Sequence, residues 1–137
     1  MDYNKMFTRA MENRGTPFAD PIGGGFMQFC TIRGNNLNVS ISVTFYNPDE
    51  PFINILAPNL GSFASNPEKG YRLCNRLNHD YSWIKYYINT INNDYQLYAV
   101  LNAYVDETKD FGNECWRLVN MVADFVDDTY PEIQEAL

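Results

Sequence analysis

Hydrophobic and polar positions alternate most cleanly between residues 37 and 46. Leu37, Val39, Ile41, Val43 and Phe45 hold one parity, and Asn38, Ser40, Ser42, Thr44 and Tyr46 hold the other. Successive side chains of a strand point to opposite faces, so this run predicts an antiparallel strand with one face on a core and one polar face. Gly34-Asn35-Asn36 ahead of it is turn chemistry, since Gly and Asn tolerate positive φ. The short apolar, β-prone run 26–33 then predicts a partner strand. Asn47-Pro48-Asp49-Glu50 turns the chain into a third strand over 52–57.

Helical spacing appears three times. Tyr3, Met6, Phe7, Ala10 and Met11 fall on one face of a helix over residues 2–14, stopped by Gly15. Asn66 as N-cap, Pro67 at the first helical position and Glu68 in the first turn open a second helix. Its apolar face is Leu73, Cys74 and Leu77, and it ends near residues 78–80. A last helix over 109–129 places Trp116, Val119, Val122, Ala123 and Val126 inward, and Pro131 is expected to kink or end it. Between the second and third helices, residues 83–90 and 95–105 read as strands around an Asn92-Asn93-Asp94 turn. The loop 16–25 carries two prolines and three consecutive glycines.

The predicted order is α-β-β-β-α-β-β-α: an α+β fold in two layers, with a mostly antiparallel five-stranded sheet packed against helices. The 137 residues suit a single domain over 1–137. Tight turns join the strand pairs, and no repeat or low-complexity linker interrupts the chain.

Charge and composition narrow the functional classes. With 17 Asp and Glu against 10 Lys and Arg, the formal net charge is −7. Nucleic-acid binding needs clustered cations, whereas Arg9, Arg14, Arg33, Lys69, Arg72, Arg76 and Lys85 are scattered singly along the sequence. An acidic surface suits solubility or a basic protein partner. Cys30, Cys74 and Cys115 are odd in number and far apart, as expected of buried free thiols in a reducing compartment. The N-terminal residues lack the basic start and apolar run of a signal peptide, and no apolar stretch approaches the ~20 residues of a membrane span. A cytoplasmic location with no membrane contact is the expectation.

Catalytic and cofactor chemistry finds little support. His79 is the only histidine, and its place at a helix end suits an interaction with the helix dipole. Gly23-Gly24-Gly25 precedes a strand, whereas a phosphate cradle opens a helix and usually carries a Lys, so the run reads as a connector. No cofactor, metal or catalytic residue is expected. Two features remain. Tyr81, Trp83, Tyr86, Tyr87, Tyr95, Tyr98 and Tyr104 crowd the second hairpin at both parities, more rings than one packed face needs. Asp124, Asp127 and Asp128 sit on the polar face and near the end of the last helix, where negative charge is mildly unfavourable. The candidate protein interface is therefore Tyr86, Tyr87, Tyr95, Tyr98, Tyr104, Asp124, Asp127 and Asp128.

Cys74-Asn75-Arg76-Leu77-Asn78, followed by a two-stranded hairpin and a long helix from Lys109, resembles the YbjN-like domain family. In that family a helix ending in a Leu-Asn pair precedes such a hairpin and helix. The element order over about residues 25–126 is similar to the secretion-chaperone-like fold. The resemblance implies an acidic, cytoplasmic, homodimeric binding protein and brings no catalytic motif. The expected function is a non-enzymatic protein-binding, adaptor or chaperone-like domain with an unidentified protein partner. The alternatives are an acidic immunity-type protein that neutralises a basic toxin, and a small-molecule-binding domain in which Asn54, Asn89 and Asn102 serve as polar contacts.

Overall fold

The computed structural model describes residues 1–16, 18, 27–81, 83–106 and 108–137. Its elements are α1 (Tyr3–Arg14), β1 (Met27–Arg33), β2 (Asn38–Thr44), β3 (Phe52–Ala57), α2 (Pro67–Asp80), β4 (Lys85–Asn89), a 3₁₀ turn (Ile91–Asn93), β5 (Gln96–Tyr104) and α3 (Phe111–Ala136). The order is the expected α-β-β-β-α-β-β-α. All neighbouring strands pair antiparallel, in the spatial order β1-β2-β3-β5-β4. The connector 17–25, with its glycine run, and Phe26, the expected first residue of the first strand, lie outside the described residues apart from Phe18.

The caps follow the sequence. Asp2 accepts from the Lys5 amide, Asn66 from Lys69 and Asp110 from Asn113, each satisfying a donor that the first turn of a helix leaves open. Gly15 closes α1 in the left-handed region at φ +70°, where a Cβ is disfavoured.

Register assigns the two faces of the sheet. Val39, Ile41, Val43, Ile53, Ile55, Leu97, Ala99, Tyr86 and Ile84 point toward the helices and are buried. Val119, Val122, Val126 and Ile133 of α3 close over them, with Phe7 and Met11 of α1 and Leu73 and Leu77 of α2. Gly70 lets α2 approach closely, since a Cβ there would stand 2.8 Å from the Phe63 ring and 3.0 Å from Ile88.

Each helix is also held by one polar side chain that bonds the main chain of the sheet. In α1, Asn4 donates through Nδ2 to the Phe45 carbonyl and accepts the Phe45 N–H on Oδ1, both at 2.8 Å. In α2, Asn78 treats Tyr86 the same way, at 2.8 and 2.7 Å. A carboxamide so placed imitates a neighbouring strand, meeting one residue's donor and acceptor together. This gives the Leu77-Asn78 pair a physical meaning: Leu77 is fully buried in the core, and Asn78 clasps the strand that follows.

In α3 the corresponding group is Asp127. Its carboxylate accepts the backbone N–H groups of Asn35 (2.9 Å), Asn36 (2.7 Å) and Leu37 (3.0 Å) in the β1–β2 turn. Asp127 is thus not on a solvated face, as expected from sequence, but 5% exposed. Gly34 lies directly under it, where a Cβ would collide with the carboxylate and the Leu37 carbonyl.

Pro131 neither ends nor terminally breaks α3, which runs on to Ala136 and buries Ile133 beyond it. Proline lacks the N–H that a helix would send to the carbonyl four residues earlier, that of Asp127. Asn36 Nδ2 donates to that carbonyl at 3.0 Å, so the turn supplies the missing partner.

Burial raises the pKa of the Asp127 carboxyl, but the three amide hydrogen bonds outweigh this and leave it below its ordinary value. Such a group stabilises the fold above its unfolded pKa, and the contribution is lost as pH falls through the folded pKa. Asp127→Asn is expected to cost about 1–3 kcal/mol at neutral pH. The gap between the two proteins' melting temperatures should close as pH drops below about 4, near the unfolded carboxylate pKa. Gly34→Ala should destabilise by steric displacement and keep its penalty at low pH. Thermal melts across pH separate the two cases.

Candidate interaction surface

The described helices lie on one face of the sheet; no described helix covers the other, called the open face, although Ser42 and Thr44 on it are buried. By strand parity it carries Met27, Phe29, Thr31 and Arg33 of β1, the even-numbered residues of β2, Phe52, Asn54 and Leu56 of β3, Lys85, Tyr87 and Asn89 of β4, and Gln96, Tyr98, Val100, Asn102 and Tyr104 of β5. Tyr46 continues the β2 parity just past its end.

The rings on this face pair across strands. Phe52 and Tyr104 lie opposite each other with centroids 4.7 Å apart, and Tyr87 and Tyr98 at 5.5 Å. Between the pairs, Asn54 donates to Asn102 at 2.9 Å. The Tyr87 phenol is pushed up in pKa by burial, then by Tyr98 and Tyr46, which places these three phenols in one electrostatic neighbourhood. Yet Tyr104 remains 69% exposed and Tyr46 61%, and Phe52 and Tyr87 are also exposed. Cross-strand pairing has not removed these rings from water.

No residue of the five strands is Asp or Glu, and their only charges are Arg33 and Lys85. In a chain of net charge −7, the open face is neutral to weakly positive.

The residues grouped from sequence as one interface separate into three environments. Tyr87, Tyr98 and Tyr104 share the open face. Tyr95 lies half-buried before β5, where its carbonyl accepts the Phe63 amide at 3.0 Å. Tyr86 belongs to the core: it is 1% exposed, and its hydroxyl meets that of Thr129 at 2.6 Å. Thr129 in turn donates within α3 to the carbonyls of Phe125 (3.0 Å) and Val126 (3.2 Å). Burial drives the Tyr86 phenol far above its ordinary pKa. Tyr81 and Trp83 pack edge-on against Phe125 of α3, at 4.6 and 5.0 Å, away from the open face.

Asp124 and Asp128 are exposed on α3, on the helical side of the molecule. Asp127 is committed to the β1–β2 turn. Sequence reasoning missed Tyr46 and Phe52 as members of the exposed aromatic set, although the parity of 37–46 already placed Tyr46 among the outward residues.

Other chemistry is sparse among the described residues. The thiols are free, and burial pushes Cys30 and Cys115 up to about 12 and Cys74 up to about 11, which keeps them protonated and unreactive. His79 is exposed in the last turn of α2, 3.3 Å from Asp80. No group of three His, Cys, Asp or Glu is gathered to hold a metal, and no helix is long and apolar enough to cross a membrane. The basic residues are less scattered in space than in sequence. Lys69, Arg72 and Arg76 line one groove between α2 and the end of α3, beside Glu135. Arg72 is paired with Glu68 at 2.6 Å and Arg76 with Glu132 at 3.6 Å.

The model of the YbjN family, described as "Putative bacterial sensory transduction regulator", matches residues 8–135. No curated protein and no solved structure matches the chain.

The division between buried and open tyrosines is measurable. Tyr86→Phe removes one buried hydroxyl and should cost about 1 kcal/mol, since Thr129 keeps its bonds within the helix. Tyr104→Ser on the open face should change stability by less than about 0.5 kcal/mol. Urea denaturation of both variants checks the assignment.

Proposed function

Since the chain belongs to the YbjN family, we propose that it is a non-enzymatic, protein-binding regulatory domain that works through the open face of its sheet. A second copy of the chain is the first occupant of that face, giving a two-fold dimer in which each copy offers the same patch. One observation carries this reading. The face presents Tyr46, Phe52, Tyr87 and Tyr104 to solvent and has no carboxylate among its strand residues.

The physical case has two parts. Tyr and Phe supply large contact area at low conformational cost, which is why aromatic rings concentrate in the buried centres of interfaces. Two chains of −7 repel each other, and that repulsion is least when the contacting surfaces are the ones without acid. Asp124 and Asp128, carried on the far side by α3, stay apart in such a pair, beyond the ~8 Å over which physiological salt screens charge. The same charge distribution argues against this face as the receptor of a basic toxin. An immunity-type contact would have to use the helical side instead.

Sedimentation at about 50 µM, a concentration that populates a micromolar dimer, is expected to give twice the chain mass. Tyr87→Asp combined with Tyr104→Asp should return a folded monomer, with the far-UV circular dichroism of the wild type and a melting temperature that no longer rises with protein concentration. Asp124→Asn with Asp128→Asn should leave the dimer intact. A wild-type monomer at this concentration removes the second copy as the occupant.

A further inference from the structure

Where β4 turns into β5, a recess of about 220 Å³ opens beside the loop that leaves β3. Asn59, Asn89, Asn92, Asp94 and Gln96 line it with polar groups, and Ile91 and Tyr98 form its apolar wall. Its frame is fixed by main-chain bonds that lay the loop after β3 along the start of β5. Leu60 N–H donates to Leu97 at 2.8 Å, Leu97 N–H to Gly61 at 2.9 Å, and Phe63 N–H to Tyr95 at 3.0 Å. Among the described residues, the non-glycine positions with positive φ all gather around this recess: Asn59, Asn92, Asn93 and Tyr95. Asn accepts that conformation readily, whereas for a ring as large as Tyr95 it is an outlier.

The chemistry of the lining narrows what it can hold. Asp94 is the charged group among its described lining residues: Oδ2 accepts from Gln96 Nε2 at 3.0 Å, and Oδ1 shares the Ser62 hydroxyl (3.1 Å) with the Asp94 main-chain carbonyl (2.8 Å). A cation would have to displace these bonds. No Lys or Arg lines the recess, so an anion finds no counter-charge. Asn89 Oδ1 accepts from the Ile91 N–H at 3.1 Å, and its Nδ2 has no partner among the described residues. The carboxamides of Asn59 and Asn92, the Gln96 Oε1 and the Tyr98 hydroxyl have no hydrogen-bond partner among the described residues.

The open set therefore mixes donors and acceptors without charge, next to one ring face and one branched aliphatic side chain. A ligand with several adjacent hydroxyls suits it, because each hydroxyl both donates and accepts, and its C–H face can lie on Tyr98 and Ile91. The volume is below the ~300 Å³ at which pockets begin to take drug-sized ligands, so the ligand is a single ring.

We propose that this recess binds a neutral polyhydroxylated ligand, one pyranose unit of a sugar. The recess lies at the end of the open face and shares Asn89, Gln96 and Tyr98 with it, so the glycoside titration is read on the chain whose oligomeric state has been measured.

The test is an amide-resolved NMR titration of the whole chain with methyl α-D-glucopyranoside, methyl α-D-mannopyranoside and methyl α-D-galactopyranoside, each to about 50 mM, enough to populate a millimolar site. Calcium chloride and inorganic phosphate are run in parallel. Saturable shifts confined to Asn59 and residues 89–98 with at least one glycoside are expected, with none from phosphate. Asn59→Gly combined with Asn92→Gly keeps the left-handed backbone and removes both free carboxamides, and it should weaken binding at least tenfold. Tyr98→Ala provides a second variant that leaves those turns untouched and should also weaken it. Glu12→Gln, exposed on α1 and away from the recess, should bind as wild type. Absence of saturable shifts with all three glycosides overturns the proposal. So does undiminished binding in the variants, or a response to calcium alone.

Discussion

Three polar side chains fasten the helices to the main chain of the sheet, and the arrangement of the molecule follows from them. Apolar burial supplies most of the driving force, but it is non-directional and would accept a helix at several positions. A carboxamide that meets both backbone groups of one residue accepts one position only. Asn4 fixes α1 at Phe45, Asn78 fixes α2 at Tyr86, and Asp127 fixes α3 at the β1–β2 turn. All three draw the helices to the same face. The other face is left to water or to a partner, and its exposed rings are a result of that one-sided covering.

The sequence made the local elements plain and concealed the links between them. Alternation over 37–46, the Asn66-Pro67-Glu68 start and the turn at Gly34-Asn35-Asn36 each carry their own local chemistry, and each appears where expected. Asp127 could not be read this way. On a helical wheel it is one more acid beside Asp124 and Asp128, and its partners lie 90 to 92 residues earlier in the chain. That the helix runs on past Pro131 was hidden for the same reason, because the group that compensates for the proline, Asn36, belongs to a distant turn. Tyr86 and Tyr87 are adjacent in sequence and opposite in fate. Parity decides this, but only once the register against Leu97, Tyr98 and Ala99 says which parity is inward. The alignment of Lys69, Arg72 and Arg76 was available from helical spacing, and reading the basic residues as a linear scatter hid it.

Membership of a family described as a regulator sits well with a chain that offers surfaces rather than reactive groups. Cys74 and Cys115 are buried and Cys30 half-buried, burial raises the pKa of all three, and the single histidine is on the outside. What distinguishes the molecule is the separation of its surfaces: rings and amides on the open sheet and at its end, acids on helices and loops.

The Asn78 clasp has one more consequence. β4 is the outermost strand of the sheet on its side, and an outermost strand ordinarily offers unpaired N–H and C=O groups to any extended chain that passes. At Tyr86 both of those groups are already taken by the Asn78 carboxamide. A strand arriving at this border would have to evict the side chain before it could continue the ladder. The residue that docks α2 thus also blocks Tyr86, on the β4 margin, against edge-to-edge pairing, a route by which β proteins aggregate.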